Sequence, residues 1–507
     1  MVAPAVCRVG LPCSPDSRVY LPTKYEYPGV VPESGRPRRT VAVVGGGCSG
    51  ALVAYHLLCL GYAHVTLIDP GQDPGRGLAY GVAEPWHLLN SPAGAMSVRS
   101  DRPMDFVDWA RDRVDAVEPG SFLPRRLYGA YVTERLDAAA EANPGRLRLV
   151  RDRAVALREG LGTRMAIVGE SGGAVLADDL VLATGHGPAA PLWATAGQDR
   201  HEPGDGARPG DAGSGLAGPG AAGSCLVADP WRPGALDAVP PDRPVLLVGT
   251  GLTAVDVTLS LVNRGMRAPV HAVSRHGLLP QPHRGAAGRR DADWATGHRT
   301  LGGLFRAVRR QVGETGDWRT VVDSIRPHAD AIWRGLESRD RERFLRHATR
   351  HWEVHRHRMP PPVAATVQQL RDEGALVVER GRLATLTPSL EATIRLDTGT
   401  VTRRYGAVVN CTGPGSPADN GFVTSLIDAG LARRDELGLG LDVDVAGALI
   451  DVTGRAALNR WALGPLRRGC LWETTAVPEI RGQAERLGRF LAACQPFRTS
   501  SSDAVLD

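Results

Sequence analysis

The sequence predicts an α/β fold, and three observations support this prediction. Two stretches, beginning at Val41 and Pro244, each join a short apolar run to glycines at dinucleotide-binding spacing and then to a helical pattern. Residues 202–223, between them, are nearly all Gly, Pro, Ala, Ser and Asp, and such a segment can bury almost nothing. Residues 290–372 show helical spacing instead. The expected architecture is therefore two Rossmann-like dinucleotide-binding domains with a helical insertion.

The first stretch ends at Asp69 and contains Gly45, Gly47 and Gly50. In this spacing the first glycine allows a tight turn, the second lets the backbone approach a pyrophosphate, and the third lets the helix pack on the strand. Asp69 follows the second strand about 20 residues beyond the glycines, where a carboxylate can accept hydrogen bonds from ribose hydroxyls. An ordinary βαβ unit is the alternative interpretation, but the complete order of elements favours a dinucleotide site.

The second stretch repeats this pattern with one informative difference. After the strand Pro244–Val248, Gly249 and Gly251 form the turn, and the next strand ends in Ser274-Arg275 where the first unit has its acid. An arginine suits a 2′-phosphate, which an aspartate would repel. The second site is therefore predicted to prefer NADPH to NADH.

Composition excludes several classes of function. The 507 residues carry a net charge of +5, and no block of basic residues is interleaved with aromatics, so nucleic acid is not an expected partner. No segment approaches 18 continuous apolar residues, so no membrane span is expected. The eight cysteines include no Cys-x-x-Cys pair, which favours reduced thiols in a cytoplasmic protein over a disulfide framework or a zinc site.

The histidines His347, His351 and His355 recur at four-residue spacing, which predicts three imidazoles on one helical face. A metal site is one interpretation, but the neighbouring arginines would repel a cation and no thiolate accompanies them. A basic face for carboxylate or phosphate and a merely solvated helix are the other two interpretations. We expect no metal.

Two dinucleotide sites on one chain make physical sense if one cofactor is fixed and the other exchanges electrons with it. FAD in the first site and NADPH in the second would allow hydride transfer to the flavin. The Gly- and Pro-rich segment from Gly75 to Ser97 is predicted to wrap the larger cofactor, with a plain surface loop as the alternative. Without a dithiol, the electrons would go to oxygen, a small organic substrate or a separate protein.

Several runs together resemble the FAD/NAD(P)-binding family of two-nucleotide flavoproteins. They are GRGLAYG, HLLN, LATGHGPAAP, VGTGLTAVD, SRHGLLP, NCTGP, GPLRRG and LWETTAVPEIR, and the resemblance runs from about residue 39 to 491. The chain is similar to the flavin-dependent N-hydroxylating monooxygenases, including those of bacterial natural-product pathways that oxidise the amino group of an amino acid. This resemblance implies FAD, NADPH, O2 and a C4a-hydroperoxyflavin that oxygenates a small amine.

The patterns along the chain predict the domain boundaries, and a homo-oligomer is left open. They are an irregular arm over 1–38, the FAD-binding domain over 39–200 and 386–495, a linker over 201–240, the NADPH-binding domain over 241–385 with its insertion over about 290–372, and a tail over 496–507.

The expected site residues fall into three groups. FAD contacts are expected at the first turn, the following loop and two later strand ends: Gly45, Gly46, Gly47, Cys48, Ser49, Gly50, Asp69, Pro70, Asn90, Ser91, Met96, Thr184, Gly185, Thr475 and Ala476. The remaining cofactor contacts, mainly to NADPH, are expected at Gly249, Gly251, Leu252, Thr253, Ser274, Arg275, Thr412 and Gly413. Substrate and catalytic candidates are Asn90, Arg125, Arg126, His283 and Arg284. The arginines could bind a carboxylate and disfavour an ammonium group, and surface or phosphate-binding cations are the alternative.

Three other functions remain as alternatives. A reductase serving a partner would oxidise NADPH with an external acceptor, a direct oxidase or dehydrogenase would not require NADPH, and a non-catalytic FAD-binding protein would turn over negligibly.

Overall fold

In a computed structural model of the chain, residues 39–61, 63–159, 164–192, 225–284 and 292–493 are described. The predicted arm, the predicted tail and the part of the predicted linker before residue 225 lie outside these ranges. Across the described ranges, no helix is both long and apolar enough to cross a bilayer.

The elements include both strands and helices, as expected of an α/β protein. The strands are β1 (Arg39–Val44), β2 (Ala63–Ile68), β3 (Leu147–Val150), β4 (Ala154–Glu159), β5 (Met165–Gly169), β6 (Ala174–Ala177), β7 (Asp179–Leu182), β8 (Cys225–Val227), β9 (Val245–Val248), β10 (Val270–Ser274), β11 (Leu376–Leu386), β12 (Glu391–Leu396), β13 (Gly399–Arg404), β14 (Ala407–Asn410), β15 (Ala448–Ile450) and β16 (Ala456–Ala462). The helices are α1 (Cys48–Leu60), α2 (Gly77–Gly81), α3 (Asp105–Arg111), α4 (Arg125–Glu141), α5 (Leu252–Asn263), α6 (Leu301–Thr315), α7 (Trp318–Ile325), α8 (Ala329–Gly335), α9 (Ser338–His347), α10 (Thr349–Arg356), α11 (Pro361–Asp372), α12 (Gly421–Asp428) and α13 (Val477–Ala493).

The first domain is built on a sheet with β1 near its centre. In the described part of the chain this sheet has six strands in the order β15-β16-β7-β1-β2-β3, and β1 pairs in parallel with both β2 and β7. Val41 to Val44 are buried, as expected of a central parallel strand whose two faces are both covered. This confirms the α/β prediction and places the first glycine turn at the carboxyl end of a central strand.

The last helix begins earlier than the sequence pattern predicts. The pattern indicates a helix from Arg481 to Leu491, but α13 already begins at Val477. Pro478 occupies its first turn, where the missing N–H of proline costs no helical hydrogen bond. The start of α13 therefore directly follows Thr475 and Ala476.

The second domain has its own sheet, in the order β13-β12-β11-β10-β9-β14-β8 among the described residues. The predicted return to the first domain at residue 386 is wrong, because β12 pairs with β11, β13 pairs with β12, and β14 pairs in parallel with β9. The chain leaves this sheet only after Asn410. The predicted linker 201–240 is also too long, since β8 already adds to the edge of the sheet.

The helical insertion runs from α6 to α10 and has a small core of its own, which includes Val321, Ile325 and Ile332. Its predicted end at residue 372 is wrong. Helix α11 belongs to the second domain, because Val363 and Val367 pack in the core beneath that sheet. The insertion therefore ends near Met359, and α11 connects it to β11.

Candidate functional site

The first glycine turn has space for backbone only. Gly45 has φ +103°, and a Cβ there would lie 2.4 Å from the Ala183 carbonyl oxygen. A Cβ on Gly50 would lie 1.8 Å from the Gly45 oxygen. Helix α1 begins after Gly47, and no side chain caps its first N–H groups. The turn therefore presents unpaired amides and the positive end of a helix dipole to an anion.

The carboxylate of Asp69 lies beside this turn. Its Oδ2 accepts a hydrogen bond from the Gly46 amide at 2.6 Å, and its Oδ1 accepts one from Gly71 at 2.7 Å. Exposed Pro70 follows it. An acid held against the glycine loop at the end of β2 is where an adenosine ribose would present its hydroxyls.

Two unpaired hydroxyls frame the same turn. The Oγ1 atoms of Thr184 and Thr474 are buried without a hydrogen-bond partner. A Cβ on Gly45 would lie 3.1 Å from the Thr184 Cα. A Cβ on Gly464 would lie 3.1 Å from Ser49 Oγ and 3.9 Å from the backbone carbonyl oxygen of Thr474. Buried polar atoms normally have partners, so these two hydroxyls indicate a polar ligand. The turn, Asp69 and these hydroxyls together fit FAD.

The remaining predicted FAD residues differ in exposure. Asn90, Ser91, Gly185 and Ala476 are half-buried, Met96 is buried and Thr475 is exposed. Cys48 lies at the first position of α1, and burial raises the pKa of its thiol to about 12, so this thiol stays protonated at neutral pH.

The contact between Asn90 and His283 brings two candidate residues of different domains together. His283 Nε2 lies 3.0 Å from the Asn90 carbonyl oxygen, and its ring centroid lies 4.9 Å from that of Phe122. Because a carbonyl oxygen only accepts, Nε2 must carry the hydrogen and Nδ1 is left as an acceptor. Burial lowers the pKa of His283 below its ordinary value, which favours this neutral ring.

Arg125 is engaged inside the protein. Its guanidinium donates to Asp256 at 2.7 and 3.2 Å, and its Nε donates to the Leu88 carbonyl at 2.9 Å. His87 Nε2, 3.2 Å from the Asp256 carbonyl oxygen, adds to the same junction between the domains. We therefore give Arg125 a role in joining the domains and leave it out of the substrate site proposed below. Its neighbour Arg126 is exposed.

The structure places further cations next to His283 that sequence reasoning missed. Arg319 Nε and Nη2 reach the Pro282 carbonyl oxygen at 3.3 Å, and Arg319 Cζ lies 4.3 Å from the Trp318 ring centroid. Arg358, only 3% exposed, pairs with Asp323 and lies 5.4 Å from the same ring. With exposed Arg284 they form what we call the arginine cluster: Arg284, Arg319 and Arg358. The sequence signal that could have indicated these residues is the concentration of Arg and Trp in the insertion.

The second glycine turn repeats the constraints of the first. Gly249 has φ +122°, and a Cβ there would lie 2.0 Å from the Cys411 carbonyl oxygen. Gly251 precedes α5 without a capping side chain, so the amides of Leu252 and Thr253 are open to an anion. Thr250 Oγ1 lies 2.8 Å from Ser274 Oγ, which ties the turn to the end of β10.

Three further predicted residues surround this second turn. Arg275 follows β10 and is exposed, and Thr412 and Gly413 follow β14. A cation at the end of β10 and open amides at the start of α5 fit NADPH.

The three insertion histidines do not share one helical face. Helix α9 ends at His347 and α10 begins at Thr349, with Ala348 between them at φ −118°. The Thr349 hydroxyl donates to the Phe344 carbonyl across this break. The break separates His347 from the other two histidines, which lie four residues apart on α10. His351 lies 5.9 Å from His276 between ring centroids, and His355 packs on Trp318 at 4.5 Å. In the parts of the chain that the structure describes, no three His, Cys, Asp or Glu side chains are grouped to hold a metal.

A buried charge network joins the insertion to the start of α13. Arg356 Nη2 lies 3.0 Å from Glu473, and Arg326 holds Glu479 with contacts of 2.6 and 2.8 Å. Trp352 Nε1 donates to Glu473 at 3.3 Å. Glu473 precedes the unpaired Thr474 hydroxyl, so the insertion braces one edge of the first dinucleotide site.

Comparisons with known proteins agree with this geometry. Residues 42–187 match the FAD-NAD(P)-binding family model. No curated protein matches the chain in sequence. Among solved structures, the FAD-bound cadaverine monooxygenase of Erwinia amylovora aligns with a TM-score of 0.57 at 13% identity, covering 90% of this chain and 95% of that one.

Two further structures share the fold. An ornithine N-hydroxylase from Kutzneria sp. 744, solved with reduced FAD, NADP+ and L-ornithine, aligns with a TM-score of 0.56 at 13% identity and covers 90% of this chain and 99% of its own. The bacillithiol disulfide reductase of Staphylococcus aureus aligns with a TM-score of 0.53 at 13% identity, covering 91% and 100%. Residues 42–187 therefore match the FAD-NAD(P)-binding family model, and about 90% of the chain shares the fold of these three enzymes.

Proposed function

We propose that the chain is an FAD- and NADPH-dependent monooxygenase that hydroxylates the amino group of a small carboxylate-bearing amine, such as an amino acid. The observation that carries the proposal is the arginine cluster beside the Asn90–His283 contact. The overall reaction is RNH2 + O2 + NADPH + H+ → RNHOH + NADP+ + H2O. Bound FAD would accept the hydride and activate oxygen.

The arginine cluster would orient the substrate through its carboxylate. Arg319 is 7% exposed, and among the described residues its nearest acceptors are the Pro282 carbonyl at 3.3 Å and Asp317 at 3.9 Å. These contacts are longer than the 2.7–2.9 Å usual for a charge-assisted hydrogen bond, so its charge is only weakly compensated. A substrate carboxylate would supply the missing compensation and fix the position of the amine.

The same positive charge would help to deprotonate the amine. Nearby cations disfavour an ammonium group, and only a neutral amine has the lone pair that attacks oxygen. His283 Nδ1, which the contact of Nε2 with Asn90 leaves as an acceptor, would take the ammonium proton. The residues of this chain would thus bind, orient and deprotonate the substrate, and the insertion would keep water away from it.

The proposal is tested with FAD-loaded protein, NADPH and a panel of amines under 18O2. The panel contains an amino diacid, a neutral amino acid, a diamine and an alkyl amine without a carboxylate. We expect an 18O-labelled hydroxylamine only from members with a carboxylate, with NADPH consumption matched to product. NADPH oxidation without any labelled product would contradict the proposal and favour the reductase alternative.

Replacing Arg319 by methionine should raise KM for the carboxylate substrate by about tenfold, because one charge-assisted hydrogen bond is lost. Arg319→Lys keeps the charge and should recover part of the affinity. The exposed Arg339→Met is the matched control and should leave KM unchanged. Steady-state kinetics of hydroxylamine formation measure all three variants, and an unchanged KM in Arg319→Met would rule out this carboxylate contact.

His283 should also set the acid limit of turnover. Its pKa is lowered by burial, so the ring remains neutral until the pH falls below about 6.5, and kcat should fall only below that pH. In His283→Gln the amide can still donate to Asn90, but the base is gone. We expect a lower kcat without this acid limb, whereas an acid limb identical to that of the unmodified enzyme would exclude His283 as the base.

A further inference from the structure

The positive charge around the second glycine turn comes partly from the insertion. A Cβ built on Gly251 would lie 3.4 Å from Arg350 Nη2 and 3.8 Å from its Nη1, so this guanidinium lies directly over the turn. Arg350 belongs to α10 of the insertion. This helix is not part of the β9-α5-β10 unit that forms the turn. In such turns the position over the second glycine is where the dinucleotide pyrophosphate lies.

The next residue of α10 approaches the end of β10. His351 faces His276 at 5.9 Å between ring centroids, and His276 directly follows Arg275. The end of β10 is where an adenosine 2′-phosphate would lie. Burial, together with the charges of Arg275, His351, Arg380 and Arg350, lowers the pKa of His276, which shows that these groups converge on one electropositive spot.

Among the residues that the structure describes, the carboxylates nearby are too few to neutralise this spot. Arg350 Nη1 contacts Glu353 at 3.1 Å, but Glu353 also contacts Arg468 at 3.3 Å, so one carboxylate is shared by two guanidiniums. Arg380 pairs with Asp397 in an exposed contact of 3.3 Å. Arg275 adds to the surplus of positive charge. A polyanionic ligand would offset it.

We propose that helix α10 of the insertion completes the dinucleotide site, with Arg350 binding the pyrophosphate and His351 joining Arg275 on the 2′-phosphate. This inference rests on the proposed function, since it assigns residues to its NADPH. It goes beyond the glycine fingerprint, because neither residue lies in the βαβ unit that normally forms such a site. The insertion therefore contributes to the selectivity of the site for NADPH over NADH.

Helix α10 also reaches the other cofactor site. Trp352, two residues after Arg350, donates to Glu473, and Arg356 lies 3.0 Å from the same carboxylate. Glu473 lies two residues before Thr475, a predicted FAD contact. One helix of eight residues therefore approaches the second glycine turn near its start and contacts Glu473 through Trp352 and Arg356.

The test is calorimetric titration of the FAD-loaded protein with 5′-ADP and with adenosine 2′,5′-bisphosphate, which separates pyrophosphate from 2′-phosphate binding without any turnover. Arg350→Met should weaken 5′-ADP binding by about tenfold, and Arg350→Lys should restore part of it. His351→Gln should weaken binding of the 2′,5′-bisphosphate but not of 5′-ADP. Arg309→Met, which removes an exposed charge from α6, should bind both like the unmodified protein.

The outcomes separate this inference from the proposed function. Unchanged affinities in Arg350→Met and His351→Gln, alongside weakened bisphosphate binding in Arg275→Met, would overturn the role of α10 and leave the NADPH site intact. If the unmodified protein bound neither nucleotide, the second site and this inference would both be wrong. Flavin content and thermal midpoint equal to those of the unmodified protein would show that each variant is folded.

Discussion

Replacing Gly50 by alanine is expected to give a protein that loses FAD. The added Cβ would lie 1.8 Å from the Gly45 carbonyl oxygen and 3.3 Å from Val43 Cγ1, so the turn and α1 must move apart. Overpacking of this kind costs about 3 kcal/mol, which corresponds to about a hundredfold in cofactor affinity. Flavin absorbance per chain after desalting measures the effect directly.

The matched control for this prediction is Gly120→Ala. A Cβ at Gly120 would meet nothing within 4 Å, and its backbone needs no positive φ. This variant should keep its flavin. If Gly50→Ala retained flavin as firmly as Gly120→Ala, the first turn would not be the pyrophosphate site.

Breaking the Arg125–Asp256 pair should cost about 3–5 kcal/mol of stability, because the partner left behind is a buried, uncompensated charge. Their side chains are only 12% and 8% exposed, and they connect α4 of the first domain with α5 of the second. Arg125→Met is therefore expected to lower the midpoint of urea unfolding strongly. The double variant Arg125→Met/Asp256→Asn should be more stable than Arg125→Met alone, since it removes the orphaned charge.

Arg126→Met is the control for that pair. This variant makes the same Arg-to-Met change at the next residue. Because Arg126 is exposed, the change should alter the free energy of unfolding by less than about 0.5 kcal/mol. Equal destabilisation by the two single variants would show that the buried contact does not join the domains.

The parts of the fold that sequence could predict are those set by local pattern. Gly45, Gly47 and Gly50 follow a strand rich in β-branched residues. Because steric exclusion at a dinucleotide-binding turn favours glycines at this spacing, the run predicts that turn from local sequence alone. The second turn at Gly249 was found in the same way. The predicted boundary at residue 386 is wrong because β12 pairs with β11 and β13 pairs with β12, and strand pairing depends on partners that the local sequence does not identify.

The substrate side of the site was less predictable for a related reason. Arg125 and Arg126 are adjacent in sequence, but adjacent residues of a helix point in different directions. Arg125 lies at the domain junction, whereas Arg126 is exposed to solvent. Arg319 and Arg350 reach the two sites only because the insertion folds back over both domains. In a chain with 60 Lys and Arg residues, almost all of them Arg, residue type alone could not single out these two.

The most direct test of the account is anaerobic mixing of the FAD-loaded protein with NADPH or NADH, followed by the visible absorbance of the flavin. We expect rapid bleaching by NADPH. Bleaching by NADH should be at least about tenfold slower, because NADH has no 2′-phosphate for the cations at the end of β10 to bind. Gly249→Ala should keep its flavin but show no rapid bleaching. Equal rates with the two nucleotides would contradict the role of Arg275, and no bleaching by either would contradict hydride transfer between two dinucleotide sites on this chain.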